Sequence, residues 1–409
     1  MIETTPLRPR VLVVTLAEDR RTDWQIRRVE QEAFSLLDTL GMDVAGSMSF
    51  YVKQPSSATY IGKGQLEEVL EHRRLFDCDL VYFDTSLTPR VDRNLEAVLE
   101  CPVMDRNELI IEIFASRART REAKLQVQLA RVQFLLPRLK QSGAAFAQQR
   151  GGVRGAKGEG ERQIELDRRR LEDEMVRLKK EIRQVKRNRD TQRKRRLSSS
   201  TPSFALVGYT NSGKSSLMKA ITGRDTLCED KLFATLDPLE RTVELERGLD
   251  AVLSDTVGFV SNLPHSLIDA FSSTLEEATL ADVLILVLDA SSDDVDDNYR
   301  TTLAVLDELG ASGKPMMVVF NKIDLPMSNE VAVSSIRALH PDAIMLSAKT
   351  GENMDRLVGR MRMEARRIVG TRTITLSLDD TKAIEDAYSS GRVISADYTD
   401  TGVVFTMRR

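Results

Sequence analysis

The chain is poor in the residues that build covalent and metal frameworks. Its three cysteines, Cys78, Cys101 and Cys228, stand far apart with no CxxC spacing. That excludes a dithiol motif, argues against a disulfide framework and fits a reducing compartment. His72, His265 and His340 are equally scattered, which argues against a His/Cys zinc site. Long apolar runs are also missing. The run Val283–Leu288 holds six residues, far short of the roughly 20 that span a bilayer. The opening MIETTPLRPR lacks the apolar core of a signal peptide. The expectation is a cytoplasmic chain with no membrane span, resident in part on a larger particle or a membrane surface.

What is present is ordinary in total and uneven in placement. The 409 residues are 41% hydrophobic and 30% charged, with room for about two to four domains. The net charge of −3 conceals a basic arm. From Arg177 to Arg196 eleven Lys or Arg face two acids, a local +9 that leaves −12 for the remainder. An acidic body with one basic arm points to a polyanionic partner.

Periodicity divides the chain into segments. Strand-like runs at Arg10–Leu16, Asp79–Phe83 and Pro102–Met104 alternate with helical patterns at Ile26–Leu40, Gln65–Phe76 and Arg90–Leu99, which predicts a small parallel α/β subdomain over residues 1–108. An apolar stripe at 3–4 spacing then runs from Phe114 to Leu139 and resumes from Ile164 to Val185. Between them lies RGGVRGAKGEGERQ, Arg150–Gln163. Two long helices joined by a glycine-rich turn predict an antiparallel helical hairpin over 109–199, with its tip at 142–160. Pro137 is expected to kink or end the first helix. Strands and helices alternate again from 200 to 370, and 371–409 reads as a small β-α-β-β tail. The acidic cluster Asp293, Asp294, Asp296 and Asp297 suits a helix start.

The chemistry sits in the third segment. Gly208-Tyr209-Thr210-Asn211-Ser212-Gly213-Lys214-Ser215 matches G-x-x-x-x-G-K-[ST] and lies between the strand FALV and the helical SLMKAI. Its glycines let backbone N–H groups approach phosphate, and the helix start adds positive potential. Lys214 would reach the β- and γ-phosphates and Ser215 would ligate Mg2+. Asp255-Thr256-Val257-Gly258 follows the strand AVLS; Asp255 would hold Mg2+ through water and Gly258 would give its N–H to the γ-phosphate. Asn321-Lys322-Ile323-Asp324 follows MMVVF. Asp324 can accept from both N1–H and the 2-amino group of guanine, where adenine offers no donor. Ser347-Ala348-Lys349 could supply an N–H to guanine O6. The order of these motifs, each at a strand end, indicates GTP rather than ATP.

In order and wording these motifs resemble the HflX family, in the Obg–HflX group of translation-factor-related P-loop GTPases. The resemblance lies in GYTNSGKSSL, LFATLDP (Leu232–Pro238), DTVGFVSNLPHSLIDAF (Asp255–Phe271) and NKID. It extends to YIGKGQLEE (Tyr60–Glu68), RARTREAKLQVQLARVQFLLPRL (Arg117–Leu139) and QIELDRRRLE (Gln163–Glu172). It implies that Thr235 is the switch I threonine, ligating Mg2+ and sensing the γ-phosphate. The GTP contacts then expected are Gly208, Tyr209, Thr210, Asn211, Ser212, Gly213, Lys214, Ser215 and Ser216 in the phosphate loop. Phe233, Ala234, Thr235, Leu236 and Asp237 follow in switch I, and Asp255, Thr256, Val257 and Gly258 in switch II. Asn321, Lys322, Ile323, Asp324, Ser347, Ala348 and Lys349 surround the base. Lys214, Thr235 and Gly258 are the expected catalytic set, and Ser215, Thr235 and Asp255 the expected Mg2+ set.

The resemblance also implies a GTPase that binds the large ribosomal subunit, reaches its RNA with the hairpin, and splits stalled ribosomes or aids subunit assembly under stress. A monomer is expected. HflX proteins usually read G-x-G-E-[ST]-Q-[LI]-E at the tip; here GEGERQIE puts Arg162 where Ser or Thr is usual. Arg150, Arg154, Lys157 and Arg162 are the candidate RNA contacts. Phe259 stands where many GTPases place a water-orienting glutamine, so hydrolysis by the free chain should be slow and partner-stimulated. Asn211 is either a ligand to K+ or a brace for its loop. The competing readings are an RNA-modification GTPase and a signalling switch with protein partners only.

Overall fold

The computed structural model describes residues 8–17, 23–149, 157–197, 201–223, 233, 239–260, 277–390, 392–399 and 402–408. Its first part alternates strand and helix. It runs β1 (Arg10–Ala17), α1 (Asp23–Thr39), β2 (Asp43–Tyr51), α2 (Lys63–Leu75), β3 (Leu80–Phe83), α3 (Pro89–Leu99), β4 (Val103–Asp105) and α4 (Arg106–Arg117). The four strands form one parallel sheet in the order β2-β1-β3-β4. Strands β1 and β3 are unbroken apolar runs because both faces of a parallel sheet are covered. Strand β2 was not foreseen. Its sequence DVAGSMSFY is mostly half-exposed, with small residues where a buried strand would carry branched ones. Gly46 is pressed by the ring of Phe76, leaving little room for a larger side chain. The segment TYIGKGQ is a loop that leads into α2, as its sequence suggested.

The stripe beginning at Phe114 is not one helix. Helix α4 ends at Arg117, and α5 (Arg121–Gln149) starts after Thr120, whose hydroxyl caps it by accepting from Ala123 N at 3.1 Å. Helix α5 continues through Pro137 to Gln149, and α6 (Lys157–Leu197) begins before Glu161. Both helices therefore reach into the segment read as a turn; the Ala- and Gln-rich AAFAQQ favours helix despite Gly143. At 41 residues α6 is about 60 Å long. Arg121 and Glu181, 60 residues apart, pair at 3.3 Å and join the start of α5 to α6. Arg168 interrupts the apolar stripe of α6 without ending the helix, and pairs with Glu165 and Glu172 at 2.7 and 2.8 Å. The chain divides into two units, and the division falls between Gln184 and Val185, inside α6.

The second unit carries a six-stranded sheet in the order β10-β9-β8-β5-β7-β6. Its members are β5 (Ser203–Val207), β6 (Leu239–Glu246), β7 (Leu249–Asp255), β8 (Val283–Asp289), β9 (Met316–Asn321) and β10 (Ile344–Met345). Only β6 is antiparallel, so the other five strands end at one edge. Helices α7 (Lys214–Thr222), α8 (Val295–Glu308), α9 (Glu330–Leu339) and α10 (Met354–Val369) accompany it. Asp296 and Asp297 sit in the first turn of α8, as their charge suits. The tail is β11 (Thr371–Leu376), α11 (Thr381–Ser389), β12 (Val393–Thr399) and β13 (Gly402–Arg408), an antiparallel sheet ordered β11-β13-β12 around its own cluster of Ala387, Val403, Phe405 and Met407. Among the described residues no helix is long and apolar enough to cross a membrane.

The first unit holds a buried charge cluster. Arg106, 4% exposed, pairs with Asp84 at 2.6 Å and Glu32 at 3.0 Å, and the Tyr82 hydroxyl donates to Asp84 at 2.6 Å. Removing the cation takes the ion pair from both carboxylates, leaving Asp84 with the Tyr82 hydroxyl. Arg106→Ala should cost about 3–5 kcal/mol. Urea unfolding followed by Trp24, the chain's one tryptophan and part of α1, reads this change. A shift below about 1 kcal/mol would contradict it.

Candidate functional site

Strand register decides which loops meet. Leu206 of β5 is level with Asp255 of β7, Val207 with Leu286 of β8, and Asp289 of β8 with Asn321 of β9. The loops after β5, β7, β9 and β10 therefore gather at the carboxyl edge of the sheet, where ligands bind in open parallel sheets. All four sequence motifs lie there: Gly208–Ser215, Asp255–Gly258, Asn321–Asp324 and Ser347–Lys349.

The first loop wraps back on itself and launches α7. Asn211 and Gly213 have positive φ, 59° and 92°, and Gly213 directly precedes the helix. Gly213 must lack a side chain, because a β-carbon would overlap Asn321 Nδ2. The first amides of α7, near Lys214, Ser215 and Ser216, have no acceptor within the helix and can serve an anion. Lys214 is 6% exposed and its Nζ donates to Gly208 O at 3.1 Å and Tyr209 O at 2.8 Å. Burial pushes its pKa down to about 8, against the opposing pull of Asp255. Ser215 Oγ donates to Asp255 Oδ2 at 2.6 Å. A hydroxyl and a carboxylate at the end of β7 form a hard oxygen pair of the kind that suits Mg2+. The Asn211 side chain is exposed and makes no hydrogen bond among the described residues.

Switch II is drawn onto this loop. Phe259 is 1% exposed and bridges to Tyr209: Phe259 N donates to Gly208 O at 3.1 Å, and Thr210 N donates to Phe259 O at 2.7 Å. Thr256 and Val257 are buried, and the Thr256 hydroxyl donates to Leu206 O at 2.7 Å. Phe233 is buried with a φ of 54°. Ala234, Thr235, Leu236 and Asp237 lie outside the described residues, as do Arg150 and Arg154. Lys157 and Arg162 lie on α6, with their side chains outside the described set.

The base side is built on Asn321. Its Nδ2 donates to Ser212 O at 3.0 Å, and its Oδ1 accepts from Ala348 N at 3.0 Å. The Ser347 hydroxyl donates to Asp324 Oδ1 at 2.6 Å. That bond, aided by Lys349 and Lys322, holds the Asp324 carboxyl below the usual range, ionised and ready to accept. Ile323 N lies 3.4 Å from Leu346 O. Lys322, at φ 66°, pairs with Asp289 Oδ2 at 2.7 Å, and Asp289 Oδ1 accepts from Ser291 N and Oγ at 2.9 and 2.6 Å. Sequence reading missed Asp289, because one aspartate after an apolar strand carries no signal of its own.

Comparison with known proteins agrees with this geometry. The N-terminal region of GTP-binding GTPases matches residues 28–115, their middle region 117–196, and the 50S ribosome-binding GTPase 203–322. The GTPase HflX of Spirochaeta thermophila is 39% identical over 403 residues, 98% of this chain and 97% of that one. The chain belongs to the HflX family of GTPases. A second HflX relative, from Treponema denticola, is 46% identical over 335 residues, 80% of this chain and 85% of its own. Among solved structures, that of SsGBP complexed with GDP has a TM-score of 0.50 at 26% identity and covers 88% of this chain and 99% of that one. An HflX GTPase with a P-loop fold hydrolyses GTP, and residues 203–322 match the family described as 50S ribosome-binding GTPase.

The low pKa of Lys214 has a sign that can be checked. Phosphate would supply the counter-charge that burial denies, so nucleotide binding above pH 8 should take up a proton. GDP affinity should be about tenfold weaker at pH 9 than at pH 7, with proton uptake in calorimetry. Affinity that is flat across this range would contradict a buried Lys214 ammonium as the phosphate ligand.

Proposed function

We propose that the chain binds GTP across the four loops, hydrolyses it slowly alone, and acts on the large ribosomal subunit. Lys214 and the first amides of α7 hold the β- and γ-phosphates. Asp324, oriented by Ser347, accepts from guanine, and Ala348 N, which here donates to Asn321 Oδ1, would serve O6. Ser215 and, through water, Asp255 would hold Mg2+, with Thr235 completing the set by family resemblance. Bound there, Mg2+ would neutralise charge on the phosphate oxygens. Gly258 senses the γ-phosphate through its N–H, and GTP would order the switches as GDP cannot. The Phe259 side chain can neither donate nor accept, which supports slow turnover until a partner rearranges switch II.

The observation that carries the ribosomal reading is the match of 203–322 to the 50S ribosome-binding GTPase family. The surface of α6 supports it. Lys179, Lys180, Arg183, Lys186 and Arg187 are exposed, on a helix whose basic excess suits an RNA backbone. Arg177 is partly answered by Glu174 and Glu181 at 3.8 and 4.0 Å, so the one-sided charge lies beyond it. The tip residues Arg150, Arg154, Lys157 and Arg162 would extend that contact. This reading places the chain in the cytoplasm, as a monomer, with splitting of stalled ribosomes or subunit assembly as its work.

Sedimentation through sucrose with a non-hydrolysable GTP analogue tests it. The chain should travel with large subunits, and the complex should weaken steeply as salt rises. Deleting Gly151–Gly160 should abolish that association and leave nucleotide binding intact. Absence from every ribosomal fraction would favour an RNA-modification or protein-signalling GTPase instead.

A further inference from the structure

Thr210 carries a hydroxyl that the loop does not need. The residue is 7% exposed, and its Oγ1 is buried with no hydrogen bond among the described residues. Buried hydroxyls are nearly always satisfied, and an unsatisfied one is destabilising unless a ligand or a transition state uses it. The turn itself is closed by backbone alone, through Ser212 N to Tyr209 O at 3.3 Å. Ser212 Oγ is also buried with no hydrogen bond among the described residues; it lies beside Gly208, whereas Thr210 lies beside Gly258.

The neighbours of Thr210 show what could use its hydroxyl. A β-carbon on Gly258 would stand 2.8 Å from Thr210 Cα and Cγ2, and 2.9 Å from Lys214 Nζ. Thr210 thus adjoins both the amine and the glycine assigned to the γ-phosphate. The same corner lacks the polar side chain that many GTPases use on the attacking water, because Phe259 stands there, 1% exposed.

We infer that the Thr210 hydroxyl is a catalytic group of GTP hydrolysis, supplying the water contact that Phe259 cannot. The inference rests on the phosphate-site reading above. In the step, a water oxygen bonds to the γ-phosphorus as the bond from that phosphorus to the β–γ bridging oxygen breaks. The electron pair of the broken bond stays with GDP. The water's proton passes to a γ-phosphate oxygen, and inorganic phosphate leaves. Thr210 Oγ1 accepts a hydrogen bond from the water, donates one to a γ-phosphate oxygen, and ends the cycle unchanged. Two bonds from one fixed hydroxyl place the water in line. Oγ1 is buried in this structure, where Phe259 O also accepts from Thr210 N at 2.7 Å.

Thr210→Val keeps the shape and removes the hydroxyl, and Thr210→Ser keeps the hydroxyl. Single-turnover GTP hydrolysis by the full chain, alone and with ribosomes, is measured beside GDP and GTP-analogue affinity and thermal melting. Thr210→Val should slow hydrolysis at least about tenfold in both settings, with GDP affinity within about threefold of wild type. Thr210→Ser should recover the rate. The nucleotide-free Val protein should melt at a higher temperature, since it sheds an unsatisfied buried hydroxyl; a merely structural threonine would not give a slower yet more stable protein. A Val variant that hydrolyses at the wild-type rate overturns the inference, as does one that loses nucleotide binding. A wild-type chain that binds no guanine nucleotide overturns the phosphate-site reading instead.

Discussion

One side chain, Asn321, holds the site together. Its amide reaches Ser212 O in the phosphate loop and accepts from Ala348 N beside the base, at 3.0 Å each, while the residue is 2% exposed. Its own carbonyl accepts from Ala290 N at 2.9 Å, which fixes the strand end from which it projects. Gly213 must be bare because this amide occupies the space of a β-carbon. The glycine of the first motif and the asparagine of the third are therefore one constraint, separated in sequence and joined in space. Both bonds tie the phosphate loop to the two base loops.

Several other polar side chains of the site have partners within the chain. Lys214 Nζ takes two loop carbonyls, Ser215 Oγ takes Asp255, and Asp324 takes Ser347. Nucleotide and metal would exchange several of these partners. Such exchange lets a buried lysine persist in the fold before its ligand arrives, at the expense of a depressed pKa. The Phe259 bridge belongs to the same internally closed state. Thr210 Oγ1 and Ser212 Oγ stand apart, buried and with no hydrogen bond among the described residues.

Much of this was legible in the sequence, because strong local signals coincide with global ones. The apolar runs at Ser203–Val207 and Val283–Leu288 read as strands since both faces are buried, and each motif follows a strand end. The described residues of the four motifs follow strand ends at one edge of the sheet. What was missed lacks periodicity. Strand β2 has small residues and no clean alternation. The break between α4 and α5 hides in a continuous apolar stripe; Thr120 was its one local sign, a capping residue followed by charged helix formers. Partnerships set by tertiary approach, such as Asp289 with Lys322 and Asn321 with Ser212, leave no trace in local pattern.

The central claim is that Asn321 couples phosphate and base recognition. The direct measurement is GDP affinity of Asn321→Ala, with folding checked by circular dichroism. Losing two buried bonds and stranding their partners should weaken GDP by about two orders of magnitude or more in a chain that remains folded. A folded Asn321→Ala protein that binds GDP within about threefold of wild type would contradict the account.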